Sequence, residues 1–299
     1  MVDPRAREVL RRLEIDVARR LDGLLQGDHR GLVPGLGSEP GEAREYVAGD
    51  DIRRMDWNVT ARTGTPHVRD TVADRELETT VLVDASASLA VGTRVRTKYD
   101  LAVAVTAAAG LLTNRSGNRF GAVVVSGDGL HVHRARSGRR HLLAVLHRLV
   151  TRPPVPGRAG LAEGLARLAA PVHRAGLAVV VSDLLTDDWA DPLRAVTRRH
   201  ETLVVEIVDP LELELPDVGP LTVIDAETGE HRRVRTSRRA RERFAQAARR
   251  RLAAHRDACR RAGADHLVLR TDDDWVVRLA HFVDRRRRGR PARARLGVR

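Results

Sequence analysis

The sequence predicts an α/β fold built on a doubly wound, Rossmann-like, mostly parallel sheet, and three observations predict it. Two apolar, β-branched runs far apart in the chain, Thr80-Val81-Leu82-Val83 and Leu177-Ala178-Val179-Val180-Val181, read as buried strands. Each stops at oxygen-bearing residues: Asp84, Ser86 and Ser88 after the first, Ser182 and Asp183 after the second. Strand-like and helix-like segments then alternate from Thr80 to Val208, the signature of βα units. If the two runs are neighbours in one parallel sheet, their carboxyl ends meet at the edge where open α/β sheets place ligands. Asp84, Ser86, Ser88 and Asp183 would then share one site.

Taken in order, Val9, Leu10, Leu13, Val17, Leu21 and Leu24 recur at helical spacing, so an amphipathic helix is expected over Arg5 to Leu25, closed by Gly27. The glycines and prolines from Gly31 to Gly41 exclude regular structure. The charge-dense stretch from Arg44 to Trp57 reads as a packed corner in which Arg44, Arg53, Asp56 and Arg62 satisfy one another, or else as a contact surface for a partner. Alternation in His67 to Val72 predicts an extended arm. After the first oxygen-rich edge comes an Ala- and Leu-rich helix over Tyr99 to Leu112, expected to be buried on most sides. Arg119 to Val125 and Leu130 to Arg134 read as antiparallel strands joined at Gly127-Asp128-Gly129. Their histidines, His131 and His133, are expected to be surface or packing residues. Helices over Arg140 to Leu149 and Leu161 to Leu168 flank a Pro-rich loop. The second apolar strand, a helix from Pro192 to Arg199 and a strand from Thr202 to Val208 complete the alternation.

Beyond Asp209 the prolines at 210, 216 and 220 change the pattern. A hairpin around Thr228-Gly229, an Arg-rich helix over Ser237 to Ala262, a strand over His266 to Leu269 and an amphipathic helix carrying Trp275, Val276, Leu279, Phe282 and Val283 are expected. The organisation predicted is an amino-terminal helix and arm over 1–76, the α/β domain over 77–209, a carboxy-terminal α+β extension packed on it over 210–284, and a disordered basic tail over 285–299.

Composition sets bounds on function. The chain has 299 residues, 42% of them hydrophobic, which is enough for a proper core. The longest apolar stretch, Leu101 to Leu112, is too short to span a bilayer, and mixed charges from Asp3 onward do not resemble a signal peptide, so a cytoplasmic protein is expected. The single cysteine, Cys259, excludes an internal disulfide and a cysteine-rich zinc site. The net charge of +13 is almost entirely arginine, because Lys98 is the only lysine. That skew fits GC-rich codon usage better than selection for phosphate contacts, and nucleic-acid binding is not expected. A basic face for an acidic protein or a membrane surface fits the same charge.

No Gly-rich phosphate loop with Lys, no Gly-Xaa-Ser-Xaa-Gly elbow and no His-Glu-Xaa-Xaa-His pair is present. An Asp-Xaa-Ser-Xaa-Ser loop can turn two hydroxyls towards one cation, and hard oxygens suit Mg²⁺ or Mn²⁺. Such a site leaves an open position that a carboxylate of another protein could fill. A purely structural alternative has Ser86 and Ser88 capping the next segment while Asp84 bonds to loop amides.

Asp84-Ala85-Ser86-Ala87-Ser88 resembles the metal-ion-dependent adhesion site of von Willebrand factor A domains. The stretch REYVAGDDIRRMDWNVTAR, a short arm, Glu78 and that site together resemble the domain-of-unknown-function 58 family over approximately Leu13 to Phe282. The resemblance implies direct metal ligation by Ser86 and Ser88, with Asp84 and Asp183 acting mainly through water. It also implies a non-enzymatic adaptor that binds Mg²⁺ or Mn²⁺ and an acidic residue of a protein partner, with a MoxR-type AAA+ ATPase as the partner class. The chain departs from the pattern where the resembled site takes a threonine: Ala159 or Gly160 stands there, and Thr151 is separated from it by three prolines. Two other readings stay open, a metal-dependent hydrolase or phosphate-handling enzyme using Asp84 and Asp183, and a nucleic-acid binder using Arg249, Arg250 and Arg251.

Overall fold

A computed structural model describes residues 43–47, 52, 55–69, 78–92, 95–114, 118–155, 160–170, 175–226 and 228–289. The expected amino-terminal helix and the Gly- and Pro-rich loop lie outside the described residues. Val33–Glu76 forms a compact unit of its own, separate from the unit that contains residues 77–299.

In the small unit, β1 (Ala43–Glu45) pairs antiparallel with β2 (His67–Arg69), and α1 spans Trp57–Thr63. Asp56 starts α1, because its Oδ1 accepts hydrogen bonds from the amides of Asn58 and Val59, both at 3.2 Å. The packed corner expected here is only partly described, since Arg53 and the side chain of Arg44 fall outside it. Within the described residues Asp56 is a buried cap and Trp57 is 68% exposed.

The large unit is organised by a six-stranded sheet in the order β10-β7-β6-β3-β4-β5. Its strands are β3 (Glu78–Ala85), β4 (Arg119–Ser126), β5 (Gly129–Arg136), β6 (Leu177–Ser182), β7 (Glu201–Val208) and β10 (Asp265–Arg270). Every pairing is parallel except β4 with β5, whose connection is too short for a crossover. The strand order reverses beside β3, so β3 and β6 are the two neighbours from which the chain winds outwards. This is the doubly wound, mostly parallel sheet that the sequence predicts.

The helices are α2 (Lys98–Asn114), α3 (Arg139–Thr151), α4 (Leu161–Ala169), α5 (Ala190–Thr197), α6 (Arg238–Ala262) and α7 (Trp275–Gly289). α2 is buried almost all round, as its Ala-, Val- and Leu-rich sequence requires. One core layer joins Leu82, Val125 and Val180 of the sheet to Leu161, Leu165 and Leu168 of α4 and Leu193 of α5. Each of those leucines contributes roughly 1.5–3 kcal/mol by leaving water. Gly164 lets α4 sit close, because a Cβ there would lie 2.6 Å from both Leu82 Cδ1 and Val125 Cγ1. A separate hairpin, β8 (Pro220–Ile224) with β9 (His231–Arg235), is mostly exposed.

Two expected boundaries move. The strand assigned to a carboxy-terminal extension is β10, which pairs parallel with β7 and forms the edge of the central sheet, so the fold does not divide at Asp209. Its Leu267 and Leu269 are buried, and only pairing with β7 supplies partners for its backbone. The tail expected from Arg285 begins as helix, since α7 continues to Gly289. Arg286 ties that turn down by pairing with Glu201 at 2.5 Å and Asp265 at 2.6 Å. Residues 290–299 lie outside the described residues. Among the described residues no helix is long and apolar enough to cross a membrane.

Candidate functional site

The carboxyl ends of β3 and β6 lie side by side, with Val83 opposite Val181. The next residues on each strand are therefore Asp84 and Ser182, and they touch: the Ser182 hydroxyl donates to Asp84 Oδ2 at 2.6 Å. Asp84 Oδ1 accepts from the Ser86 amide at 2.9 Å, which bends the chain into a short 3₁₀ turn over Ala87–Ala90. Ser86 and Ser88 then face each other, hydroxyl to hydroxyl, at 3.0 Å. Ser86 makes no side-chain capping bond to the turn that follows it, whereas Asp84 does bond the loop amide.

Asp183 follows directly on β6. Leu184 adopts a left-handed backbone, φ 55°, which is uncommon for a residue with a branched side chain. Its side chain is buried in the core, and its amide donates to the Ser182 hydroxyl at 3.0 Å, so packing and a hydrogen bond hold the turn. Asp183 Oδ1 accepts from the Leu185 amide at 3.3 Å. Its other oxygen, Oδ2, accepts from the Lys98 ammonium at 2.7 Å.

Lys98 was not singled out as a site residue from sequence. Reciprocal bonds between Thr97 and Asp100, at 2.9 and 3.0 Å, start α2 just before it and place Lys98 at the first helical position. A cation there opposes the helix dipole. Lys98 is nevertheless fully buried, and besides Asp183 it donates to Glu212 Oε1 at 2.5 Å. Glu212 lies in a 3₁₀ turn, Pro210–Glu212, just after β7; its Oε2 accepts from the Asp209 amide at 3.1 Å. Asp209 in turn accepts from Thr271, just after β10, at 2.8 Å. One polar network thus connects the carboxyl ends of four parallel strands.

The electrostatics follow from this packing. Burial, reinforced by the charge of Asp183, pushes the Asp84 carboxyl up to about 6, although hydrogen bonds from Ser182 and Ser86 oppose the rise. For Lys98, burial works against the ammonium, but the carboxylates of Asp183 and Glu212 outweigh it and hold the group above its ordinary value.

All four residues picked out from sequence therefore lie at one edge. Whether they fit a divalent cation depends on charge as well as spacing. About Mg²⁺, two oxygens at right angles and roughly 2.0–2.1 Å from the metal would be about 2.9 Å apart, close to the separation of the two serine hydroxyls. The carboxylates do not fit as well. Both oxygens of Asp183 and both of Asp84 already accept hydrogen bonds, and Asp183 is neutralised by Lys98. A dication placed beside Asp183 would also be repelled by that ammonium. Thr151 does not replace the missing threonine, because it is exposed and its hydroxyl bonds back to His147 within α3. In this arrangement the donor set does not fit a divalent cation.

A second buried carboxylate lies on the neighbouring strand, opposite Ser182 in the sheet. Glu206, in β7, accepts from His255 of α6 at 2.7 Å and from His266 of β10 at 2.8 Å. Burial alone would raise its pKa, but the two imidazoles outweigh burial and lower it. Trp189 stacks edge-on against His255, with ring centroids 5.6 Å apart. Nearby, burial pushes the Cys259 thiol up to about 12, which leaves it inert as a nucleophile at neutral pH. At the β4–β5 turn, His131 pairs with Asp128 at 3.1 Å on the surface.

The profile of the family described as "Protein of unknown function DUF58" matches residues 42–254. The uncharacterized protein Rv1480 of Mycobacterium tuberculosis is 48% identical over 294 residues, covering 96% of this chain and 92% of that protein. The uncharacterized protein MAV169 of Mycobacterium avium is 43% identical over 162 residues, 52% of this chain and 94% of its own length. Among solved structures, the conserved hypothetical protein BatB of Bacteroides thetaiotaomicron is similar at a TM-score of 0.42 and 12% identity, covering 71% of this chain and 99% of that one. The SpRpn10 VWA domain is similar at a TM-score of 0.38 and 13% identity, covering 70% of this chain and 94% of its own.

Proposed function

The chain belongs to the DUF58 family, and from that premise we propose that it is a non-enzymatic adaptor whose carboxyl-edge cluster recognises a protein partner. The observation that carries this reading is the convergence of Asp84, Ser86 and Ser88 from β3 with Ser182 and Asp183 from β6 at the topological switch point of the sheet. Paired hydroxyls and carboxylates at such an edge offer directional polar contacts to an incoming side chain. The partner class is a MoxR-type AAA+ ATPase presenting an acidic residue, as the family resemblance implies. Neutral hydroxyls rather than carboxylates are the groups here able to donate to that acid.

Purified protein mixed with the MoxR-type ATPase of its own organism should co-elute on size-exclusion chromatography. Replacing Ser86 and Ser88 together by Ala should weaken the complex by roughly tenfold, about 1.4 kcal/mol. A complex indifferent to both substitutions, or no complex at all, would remove this edge as the docking site for that partner.

A further inference from the structure

We propose that the Lys98 ammonium is the resident cation of this edge, taking the charge-balancing place of a divalent metal, so that the site works without one. Three independent features support the assignment. Lys98 is fully buried and reaches two carboxylates, Asp183 and Glu212, at 2.7 and 2.5 Å. It occupies the first position of α2, where a cation is disfavoured by the helix itself, so its placement is explained by those acids and not by the helix. In a chain whose other side-chain cations, histidine aside, are all arginine, the one lysine puts a compact point charge between two carboxylates from different elements.

The same arrangement explains how the edge does without the threonine of the resembled metal site. A dication needs several oxygen donors around it, and each donor lost leaves a water to fill the position. An ammonium has three donors of its own, and two of them are accounted for here by Asp183 and Glu212. Glu212 is 23% exposed, whereas Lys98 is sealed, so Glu212 is the outward face of the ion cluster. With Lys98 in place, Asp183 is a fixed, neutralised support for the turn that carries Leu184.

The proposal rests on the reading of this edge as the recognition site, and two measurements separate them. Wild-type protein should show the same melting temperature in millimolar Mg²⁺, in millimolar Mn²⁺ and in EDTA, and Glu212→Gln should behave likewise. Lys98→Met frees Asp183 and Glu212 of their cation, and its melting temperature should rise in Mn²⁺, by about 5 °C or more at a concentration near 100 times Kd. A wild-type or Glu212→Gln protein stabilised by either metal to that extent overturns the lysine assignment, whether or not Lys98→Met folds. The complex with the ATPase should likewise survive EDTA. Loss of the complex on chelation, restored by Mg²⁺, also overturns the assignment while keeping the adaptor reading. Absence of any complex with metal-indifferent melting overturns the adaptor reading and leaves the lysine assignment standing.

Discussion

Asp183 and Glu206 are both acidic side chains buried in or beside the same parallel sheet, and their neighbours neutralise them by different means. Asp183 is held by a lysine from a different layer, at the edge where strands end and loops diverge. Glu206 is held by two histidines, one from the helix above β7 and one from the adjacent strand. The first cluster sits at the carboxyl ends of β3 and β6 with serine hydroxyls beside it. The second is packed between α6 and β10, with Trp189 against His255. Burial is common to both, so burial alone does not mark a functional site. Position at the switch point of the sheet and a mixed set of donors separate the edge from the interior.

The largest effect that should break the comparison is Lys98→Met, which leaves Asp183 and Glu212 without their cation. A loss of about 3–5 kcal/mol is expected, measurable by urea unfolding in the absence of divalent metal, because removing one partner of a buried pair strands the other charge. Should Lys98→Met instead be neutral, the ion cluster contributes nothing to the fold and the contrast with Glu206 collapses.

Acid titration should separate the two regions by sign. Asp84 has its folded pKa raised from 3.8 to about 6, so its contribution to stability is fully present below 3.8 and is lost as pH rises through about 6. Relative to Asp84→Asn, the wild type should therefore lose roughly 2–3 kcal/mol between pH 4 and pH 7. Glu206 is the opposite case. Its folded pKa lies below 4.5, so its contribution is present above 4.5 and is lost as pH falls through the depressed folded value. Relative to Glu206→Gln, the wild type should lose stability on acidification. Unfolding curves for the three proteins across this range check both slopes, and parallel slopes would contradict the assignment.

At neutral pH, Glu206→Gln should cost roughly 1–3 kcal/mol, since the amide keeps one oxygen acceptor for two imidazoles and leaves one of them unsatisfied. The smallest change in stability, about 1 kcal/mol, is expected for Ser86→Ala, because Asp84 keeps its bonds from the residue-86 amide and the Ser182 hydroxyl when this side chain is lost. That substitution tests function rather than fold: thermal melting should hardly move while partner binding weakens.

Much of this architecture is legible in the residues. The apolar runs ending at Asp84 and Asp183 are strong signals because a strand buried on both faces tolerates polar groups only where it ends. The Ala- and Leu-rich run after Ser88 likewise has to be a buried helix. Glu206 carried a signal that went unread, a charge inside the apolar run Leu203-Val204-Val205-Glu206-Ile207-Val208, which only a buried partner can explain. Lys98 carried another, as the only lysine of the chain, although its uniqueness first reads as a matter of composition. Glu212 carried none, lying in a Pro-punctuated acidic stretch that looks like an ordinary connector.

The sequence by itself determined the strands, the hydroxyls and the acids at their ends, and the side of the sheet on which they gather, because these follow from local periodicity and from the geometry of parallel crossovers. Only the tertiary structure decided what neutralises those acids. Lys98 is separated by 85 residues from Asp183 and by 114 from Glu212. A charge pair of that span is fixed by the packing of whole elements against one another and by the high cost of burying either charge alone, neither of which leaves a mark in any short stretch of sequence.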